Sequence, residues 1–335
     1  MLRDPCGRPV TNLRISVTQD CNQRCLYCHR EGERAAPAGA PDGAQAGAAI
    51  MVPREISRIA AVAASLGITK VKFTGGEPLT RKDIPDIISG VAPYFKDVSL
   101  TTNGTLLPGL AGKLKAAGLS RVNVSLDSVV GRTYAKITGT GKLGAAIRGI
   151  RAARKAGLVP VKLNMVVLKG LNEQEIPRMI EFAAGEGAVL QLIELEAPKG
   201  SLSGEWYSAH HADLLGVESE LARKAVRSQT RAMHHRRKYF VQQGAGTVEI
   251  EVVRPMHNTE FCANCNRLRL SSDGRLVPCL FRGDRGIDVL GPLRKGATDS
   301  ALAGLFREAV SRREPYWSTD ELSGREKGRE LGTCP

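Results

Sequence analysis

Short runs of apolar and β-branched residues recur along the first 200 residues, and segments with helical periodicity lie between them. The runs predict six strands, at 12–18 (NLRISVT), 69–74 (TKVKFT), 97–102 (DVSLTT), 120–126 (SRVNVSL), 159–167 (VPVKLNMVV) and 188–195 (AVLQLIEL). Residues 53–66 are typical of the intervening helices, because Pro53 suits a first helical turn and Ile56, Ile59 and Leu66 belong to one apolar stripe. Alternating strands and helices predict parallel βαβ units. We therefore expect an α/β protein with a partial, open (β/α)6 TIM-like barrel.

The pattern changes after residue 200. A charged stretch, 213–238, is interpreted as helical; it is followed by a predicted strand at 247–253, a compact hairpin-like region and a helical tail from about residue 300. We expect two domains, with the barrel in residues 1–200 and a small C-terminal cluster-binding extension in residues 201–335. The Gly/Ala/Pro composition of residues 32–48 is typical of a flexible surface loop.

Charge narrows the class of ligand. The 335 residues contain 48 Lys and Arg against 34 Asp and Glu, a net charge of +14 that attracts polyanions such as nucleic acid or a phosphorylated small molecule. Only 4% of residues are aromatic, which disfavours a stacking platform for single-stranded nucleic acid.

The basic segment 223–240 is interpreted as a solvated helix, with His234 and His235 on the surface. Since the chain shows neither a long apolar span nor a secretory signal, we expect a cytoplasmic protein that binds no membrane.

Six of the eight cysteines fall in two groups of three, and Cys6 and Cys334 are interpreted as incidental. The first group has C-x3-C-x2-C spacing and comprises Cys21, Cys25 and Cys28. Three thiolates without a fourth fit a [4Fe-4S] cluster that keeps one iron free of protein ligand. A zinc site completed by His29 or a distant residue is an alternative, as is c-type haem attachment at C-x-x-C-H, which the absence of an export signal disfavours.

The motif KFTGGEPL, residues 72–79, lies at the end of the second predicted strand. Two glycines allow a ligand to approach the backbone, and the adjacent carboxylate of Glu77 is suited to hold an amino group. The alternative is a tight strand-to-helix turn with no ligand.

The second cysteine group has C-x2-C-x13-C spacing in FCANCNRLRLSSDGRLVPCLF, whereas a zinc ribbon normally provides four ligands. Arg267 and Arg269 follow shortly after Cys265, the second cysteine of this group, and are separated by Leu268. In an extended segment both guanidinium groups point to one side, where they suit phosphate oxygens. The alternative is a solvated arginine pair.

The first cysteine motif after one strand and GGEP after the next resemble the radical S-adenosylmethionine (SAM) superfamily. The resemblance implies that the SAM amino and carboxylate groups chelate the free iron and that the reduced cluster generates a 5′-deoxyadenosyl radical. The cofactors supply the reactive chemistry in such enzymes, and the protein positions them.

With the second group, the chain resembles the GTP 3′,8-cyclase family of molybdenum cofactor biosynthesis over about residues 4–281. The shared motifs are DPCGRPVTNLRISVTQDCNQRCLYCHREGE, TGGEPLTRKD, TTNGTLL, VNVSLDS, KLNMVVLKGLN and NTEFCANCNRLRLSSDG. The resemblance implies a lyase that converts GTP to 3′,8-cyclo-7,8-dihydro-GTP, the first step of molybdopterin biosynthesis, by removing the ribose 3′ hydrogen.

The resemblance also implies residue roles and partners. It places one [4Fe-4S] cluster on Cys21, Cys25 and Cys28 and a second, whose open iron binds guanine, on Cys262, Cys265 and Cys279. The implied SAM-binding residues are Tyr27, Gly75, Gly76, Glu77, Ser125 and Glu196. The implied GTP-binding residues are Arg14, Lys72, Thr101, Lys162, Arg267, Leu268 and Arg269. A flavodoxin- or ferredoxin-like reductant is expected, and a homodimer is a possible assembly.

Three positions depart from the family pattern. Gln191 stands where many members have Arg, which leaves two alternatives: Lys199 as a compensating cation, or a looser triphosphate site. Glu196 replaces a common Met, and the C-terminus ELGTCP lacks two glycines that reach the active site in many members. Two other functions are weighed against the cyclase: a radical SAM enzyme with an auxiliary cluster that modifies a peptide or RNA, and a zinc- or haem-binding module without catalysis.

Overall fold

Strands and helices alternate along most of the chain. The structure is a computed structural model that describes residues 1–29 and 50–318. Its strands are β1 (Asn12–Ser16), β2 (Lys70–Thr74), β3 (Asp97–Thr102), β4 (Arg121–Ser125), β5 (Lys162–Val167), β6 (Val189–Glu194), β7 (Ala225–Thr230), β8 (Arg237–Gln243), β9 (Gly246–Val253), β10 (Arg267–Leu270), β11 (Arg275–Val277) and β12 (Ile287–Asp288). Its helices are α1 (Pro53–Ser65), α2 (Ile84–Val91), α3 (Leu107–Ala116), α4 (Gly131–Thr138), α5 (Leu143–Lys155), α6 (Ile176–Gly185), α7 (Glu205–His210), α8 (Leu215–Lys224), α9 (Thr259–Ala263), α10 (Leu290–Arg294) and α11 (Asp299–Ser311).

The strands form because apolar and polar side chains alternate on their two faces. In β1 the side chains of Leu13 and Ile15 are fully buried in the core, whereas Arg14 between them lines a cavity. Val71 and Phe73 of β2 are buried in the same way. Helices cover the apolar face, so the opposite face of the sheet is left for polar side chains.

The first six strands are parallel neighbours in chain order, which confirms the predicted α/β fold and its open barrel. The sheet continues at both ends, because β9 pairs with β6 and β10 pairs with β1, both in parallel. Antiparallel strands complete each edge, so the sheet does not close. The C-terminal region thus extends the same sheet on two sides, and a domain division at residue 200 stays a prediction.

The prediction of a helix over residues 213–238 is wrong beyond Lys224. The α8 helix ends there, and β7 and β8 follow as an antiparallel hairpin that pairs with β9. Pairing with an existing edge strand outweighs the helical preference of this basic segment, since strand formation depends on its neighbours more than on local sequence.

Two further interpretations of single residues are wrong. His234 is 3% exposed and is therefore buried, whereas the sequence placed it on the surface. Cys6 is disulfide-bonded, so this cysteine is not incidental. The predicted loop at 32–48, Cys334 and the C-terminus ELGTCP lie outside the described residues. No helix within residues 1–29 and 50–318 has both the length and the apolarity needed to cross a membrane.

Candidate active site

A cavity of about 510 Å³ lies on the polar face of the sheet, between the parallel strands and the β7–β8 hairpin. It brings together most of the side chains that the sequence singles out. These are Arg14, Cys21, Cys25, Tyr27, Cys28, Lys72, Gly75, Gly76, Glu77, Thr101, Ser125, Lys162, Glu196, Arg267 and Arg269. Leu268 does not line this cavity, because its side chain is fully buried in the core, and the second cysteine group lines a smaller cavity described below.

The first cysteine group lies in the loop that follows β1, and the two glycines after β2 hold that loop in place. Gly76 N donates to Thr18 O (2.8 Å), and Glu77 N donates to Asp20 O (2.7 Å). A Cβ atom at Gly75 would lie 2.4 Å from Thr18 O, and one at Gly76 would lie 2.3 Å from Asp20 O. Glycine is therefore required at both positions by the cysteine loop itself, a reason that the sequence did not reveal.

Glu77 is buried at the edge of the cavity with its carboxylate already oriented. Its oxygens accept hydrogen bonds from Leu79 N (3.0 Å), Thr102 Oγ1 (2.7 Å) and Asn103 N (2.7 Å). Burial nevertheless raises its pKa to about 7, because desolvation outweighs these three bonds. A cationic ligand group beside Glu77 would restore its negative charge.

The thiols of the first group fit an iron–sulfur cluster. All three are free, and burial raises the pKa of Cys21 and Cys25, with nearby thiols and carboxylates adding to the effect. Bound iron would stabilise thiolates that this environment otherwise disfavours. Among the residues that the structure describes, no three His, Cys, Asp or Glu side chains converge on a site for a single metal ion.

Tyr27 is oriented by Asp127, a residue to which the sequence assigned no role. The Tyr27 hydroxyl donates to Asp127 Oδ2 (2.7 Å), and Asp127 Oδ1 accepts from Val166 N (2.9 Å). Burial raises the pKa of Asp127 to about 6. The signal was present in the motif VNVSLDS, in which Asp127 follows the end of β4 by two residues.

Strand register explains a row of cations along one wall. Arg14 of β1 is aligned with Lys72 of β2 on one side and with Arg269 of β10 on the other. Burial, followed by the charges of Arg14, Arg121 and other cations, lowers the pKa of Lys72 well below its ordinary value. A lysine surrounded by like charges is suited to bind an anion.

Lys162 lies further along the sheet and forms an ion pair with a buried carboxylate. Its ammonium is 2.5 Å from Glu251 Oε1, and the amide of Gln191 donates to Glu251 Oε2 (2.5 Å). Lys199, the candidate substitute for a cation at 191, does not line this cavity; its ammonium lies 4.9 Å from the ring centre of Tyr316. Compensation by Lys199 stays a prediction.

The second cysteine group lies at the open end of the β10–β11 hairpin. Cys262 and Cys265 precede β10 and Cys279 follows β11, which brings distant thiols to one end of two short strands. The three thiols are free and line a cavity of about 70 Å³ that adjoins the larger one, with Arg267 and Arg269 lining both. Burial opposes ionisation of Cys265, but nearby guanidinium groups, Arg313 foremost, outweigh it and lower the pKa. Burial raises the pKa of Cys262 to about 11 and also raises that of Cys279, so bound iron would have to stabilise these two thiolates.

Charge distinguishes this cavity from an ordinary cleft. Nine Arg and Lys side chains and five Asp and Glu side chains among the described residues line it. Arg121, Arg231, Arg236 and Lys238 were not predicted, and the last three lie in the segment that was interpreted as a helix. The excess of positive charge at neutral pH favours a ligand with several negative charges.

Comparisons with known proteins agree with the fold and the motifs. A family model described as "Radical SAM superfamily" matches residues 15–183, and one described as "Molybdenum Cofactor Synthesis C" matches residues 188–319. Streptococcus suis SuiB bound to S-adenosylmethionine is a structural relative with a TM-score of 0.63 and 16% identity, covering 89% of this chain and 68% of that chain. This likeness supports the barrel fold.

Sequence relatives are much closer. A probable GTP 3′,8-cyclase of Pyrococcus horikoshii is 51% identical over 96% of this chain and 99% of its own length. The probable GTP 3′,8-cyclase of Thermococcus kodakarensis is 50% identical over 95% of this chain and 100% of its own. The superfamily match identifies the chain as an enzyme that uses SAM and an iron–sulfur cluster. The chain belongs to the GTP 3′,8-cyclase family of the radical SAM superfamily.

Proposed function

We propose that this enzyme converts GTP to 3′,8-cyclo-7,8-dihydro-GTP and carries two [4Fe-4S] clusters, with a SAM-derived radical removing the ribose 3′ hydrogen. One observation carries the proposal: a positively charged cavity lies between two groups of three free thiols. In GTP, the guanine base could bind at one cysteine group, and the cations of the cavity would neutralise the triphosphate. The cations that line the cavity between the thiol groups therefore suit a nucleoside triphosphate better than a neutral substrate.

The first cysteine group would hold the cluster to which SAM binds. Cys21, Cys25 and Cys28 would supply its thiolates, and that cluster with SAM supplies the 5′-deoxyadenosyl radical. Glu77 would accept a hydrogen bond from the SAM ammonium; in support, its carboxylate lies at the cavity edge and accepts hydrogen bonds from Thr102 and Asn103. The remaining SAM-binding residues of the proposal are Tyr27, Gly75, Gly76, Ser125 and Glu196.

The second group would hold a cluster with an open iron that binds guanine. Cys262, Cys265 and Cys279 would be its ligands, in a C-terminal unit of residues 201–335 that completes a site begun by residues 1–200. The GTP-binding residues of the proposal are Arg14, Lys72, Thr101, Lys162, Arg267, Leu268 and Arg269. Leu268 would act through its backbone, since its side chain faces the core. Cluster reduction would need a flavodoxin- or ferredoxin-like donor, and a homodimer stays a prediction.

Reconstitution tests the proposal directly. Protein loaded anaerobically with iron and sulfide, then given dithionite, SAM and GTP, should form 5′-deoxyadenosine and a cyclised nucleotide, both followed by mass spectrometry. About eight irons and eight sulfides per chain are expected for two cubane clusters. Deoxyadenosine without cyclised nucleotide would refute GTP as the substrate. Stoichiometric zinc, or about four irons in fully loaded protein, would refute the second cluster.

A paired substitution tests the second site. Arg267→Ala with Arg269→Ala should abolish GTP turnover, because two cations that line both cavities are lost. Iron and sulfide at the first cluster should be retained, since the substituted strand does not carry its ligands. GTP turnover at the wild-type rate would remove these arginines from the proposed site.

A further inference from the structure

The β7–β8 hairpin places two arginines, Arg231 and Arg236, in the large cavity. Across the tip of the hairpin, Arg231 N donates to Arg236 O (2.9 Å). The tip is attached to the second cysteine loop, because His234 N donates to Asn264 O (3.0 Å) and the His234 ring stacks on Phe261 with ring centres 3.8 Å apart. The fold therefore holds both arginines at the cavity wall.

Both arginines share one buried carboxylate with Lys162. Glu251 is 0% exposed, and its oxygens lie 2.5 Å from Lys162 Nζ, 2.8 Å from Arg231 Nη1 and 3.5 Å from Arg236 Nη1. Gln191, its register partner on β6, contributes an amide and no charge. One anion thus faces three cations, and the group keeps an excess of positive charge toward the cavity.

Arg236 has donor capacity that the protein does not use. Its side chain is 7% exposed, and its Nε–H makes no hydrogen bond to any of the described residues. A buried donor without an acceptor is costly, and the cost is greater for a charged group. The side chain nevertheless lines the cavity, and its contact with Glu251 is 3.5 Å long, so an anionic ligand there would add a counter-charge to this guanidinium.

We propose that Arg231 and Arg236 are phosphate-binding residues that, with Lys162, hold the triphosphate end of the substrate beside the neutral Gln191. Glu251 is the positioning residue that aligns the three cations. The inference rests on the proposed function, because it assigns contacts to GTP within the same cavity. It adds the β7–β8 hairpin, a segment outside the predicted site, to the elements that bind substrate.

A ligand series separates phosphate binding from a structural role. Calorimetry on the anaerobically reconstituted protein would compare GTP, GDP, GMP and guanosine. Arg236→Ala should weaken GTP binding roughly 10- to 100-fold, the loss expected for a charge-assisted hydrogen bond. Guanosine affinity should stay unchanged, and the loss should shrink as phosphates are removed. Arg231→Ala should behave similarly, and Arg236→Lys should recover part of the affinity because it keeps the charge.

The matched control is Arg237→Ala. Arg237 follows Arg236 in the chain and is the first residue of β8. It is exposed and does not line the cavity, so removal of its side chain should leave GTP affinity unchanged. Turnover should show a raised KM for Arg236→Ala with kcat within about twofold, since uniform binding is lost rather than chemistry.

Each outcome separates this inference from the proposed function. Wild-type protein that binds and cyclises GTP, together with unchanged GTP affinity in both Arg231→Ala and Arg236→Ala, overturns the inference alone. Equal weakening of GTP and guanosine would also overturn it, because it would indicate a structural role. Wild-type protein that does not bind GTP would remove both. If Arg236→Ala fails to fold, Arg231→Ala and Arg236→Lys decide the result.

Discussion

Lys162 is a cation whose charge changes near neutral pH. Burial lowers its pKa to about 8; the ion pair with Glu251 opposes this shift, and Arg231 and Arg236 add to it. Because the proposed contact joins GTP to the protonated lysine, GTP binding is expected to raise this pKa. GTP affinity should therefore be nearly constant below pH 8 and fall as pH rises above it. Titration calorimetry between about pH 6.5 and pH 9.5 measures this dependence.

Two comparisons identify Lys162 as the source of that pH dependence. Guanosine carries the same base without phosphates, so its affinity reports any titration unrelated to the triphosphate. Lys162→Arg keeps a positive charge across this range and should flatten the curve for GTP. A decline that is the same for guanosine, or that persists in Lys162→Arg, would contradict the prediction.

Substitution of Asp127 tests whether its buried hydrogen bond with Tyr27 orients the proposed SAM-binding residues. Asp127→Asn retains an acceptor for the Tyr27 hydroxyl but places an amide donor near Val166 N, which also donates. The mismatch should lower the free energy of unfolding by about 1–3 kcal/mol. We expect SAM affinity to fall several-fold and GTP affinity to be unchanged, as measured by calorimetry on the reconstituted protein. Unchanged SAM affinity would show that Tyr27 is held by other contacts.

At the scale of elements, the turn after β2 determines where the first cysteine loop lies. Gly76→Ala places a Cβ 2.3 Å from Asp20 O and 2.5 Å from Gln19 O, both backbone atoms that cannot rotate away. The loop must move, so we expect loss of the first cluster and about half of the iron. Iron analysis after reconstitution, with SAM cleavage as a second readout, measures the effect.

Gly109→Ala is the matched control for that substitution. Gly109 is exposed in α3, and a Cβ there meets no atom within 4 Å. Alanine should stabilise the helix by about 0.5–1 kcal/mol, since glycine is the poorer helix former. Full iron content in Gly76→Ala would mean that the cysteine loop tolerates the displacement.

The sequence predicted elements best where side-chain alternation was strong. All six barrel strands were expected within three residues of their ends, because two-residue periodicity and flanking polar turns are local signals. The β7–β8 hairpin was missed, since its strand state comes from pairing with β9. Glu251 was missed for a related reason: only strand register reveals that it faces Lys162 and Gln191.

At the scale of the whole molecule, residues near the two ends of the described chain contact the loop that carries Cys262 and Cys265. Arg8 Nη1 donates to Cys262 O (2.7 Å), and Arg313 Nη2 donates to Cys265 O (2.8 Å). Both guanidinium groups pair with Asp4, at 2.8 Å and 3.0 Å. The loop that carries two thiols is thus held by an N-terminal residue and by a residue after α11, which is why no local motif predicted it.

The same contacts predict that the proposed second cluster depends on Asp4. Asp4→Asn removes the carboxylate that pairs with the buried guanidinium groups of Arg8 and Arg313, which should lower the free energy of unfolding by about 3–5 kcal/mol. Urea unfolding measures this loss, and iron analysis should show the second cluster depleted and SAM cleavage retained. Asp299→Asn removes an exposed partner of Arg58 and should cost less than about 1 kcal/mol. Equal effects of the two substitutions would mean that burial of the Asp4 pairs does not stabilise the cysteine loop.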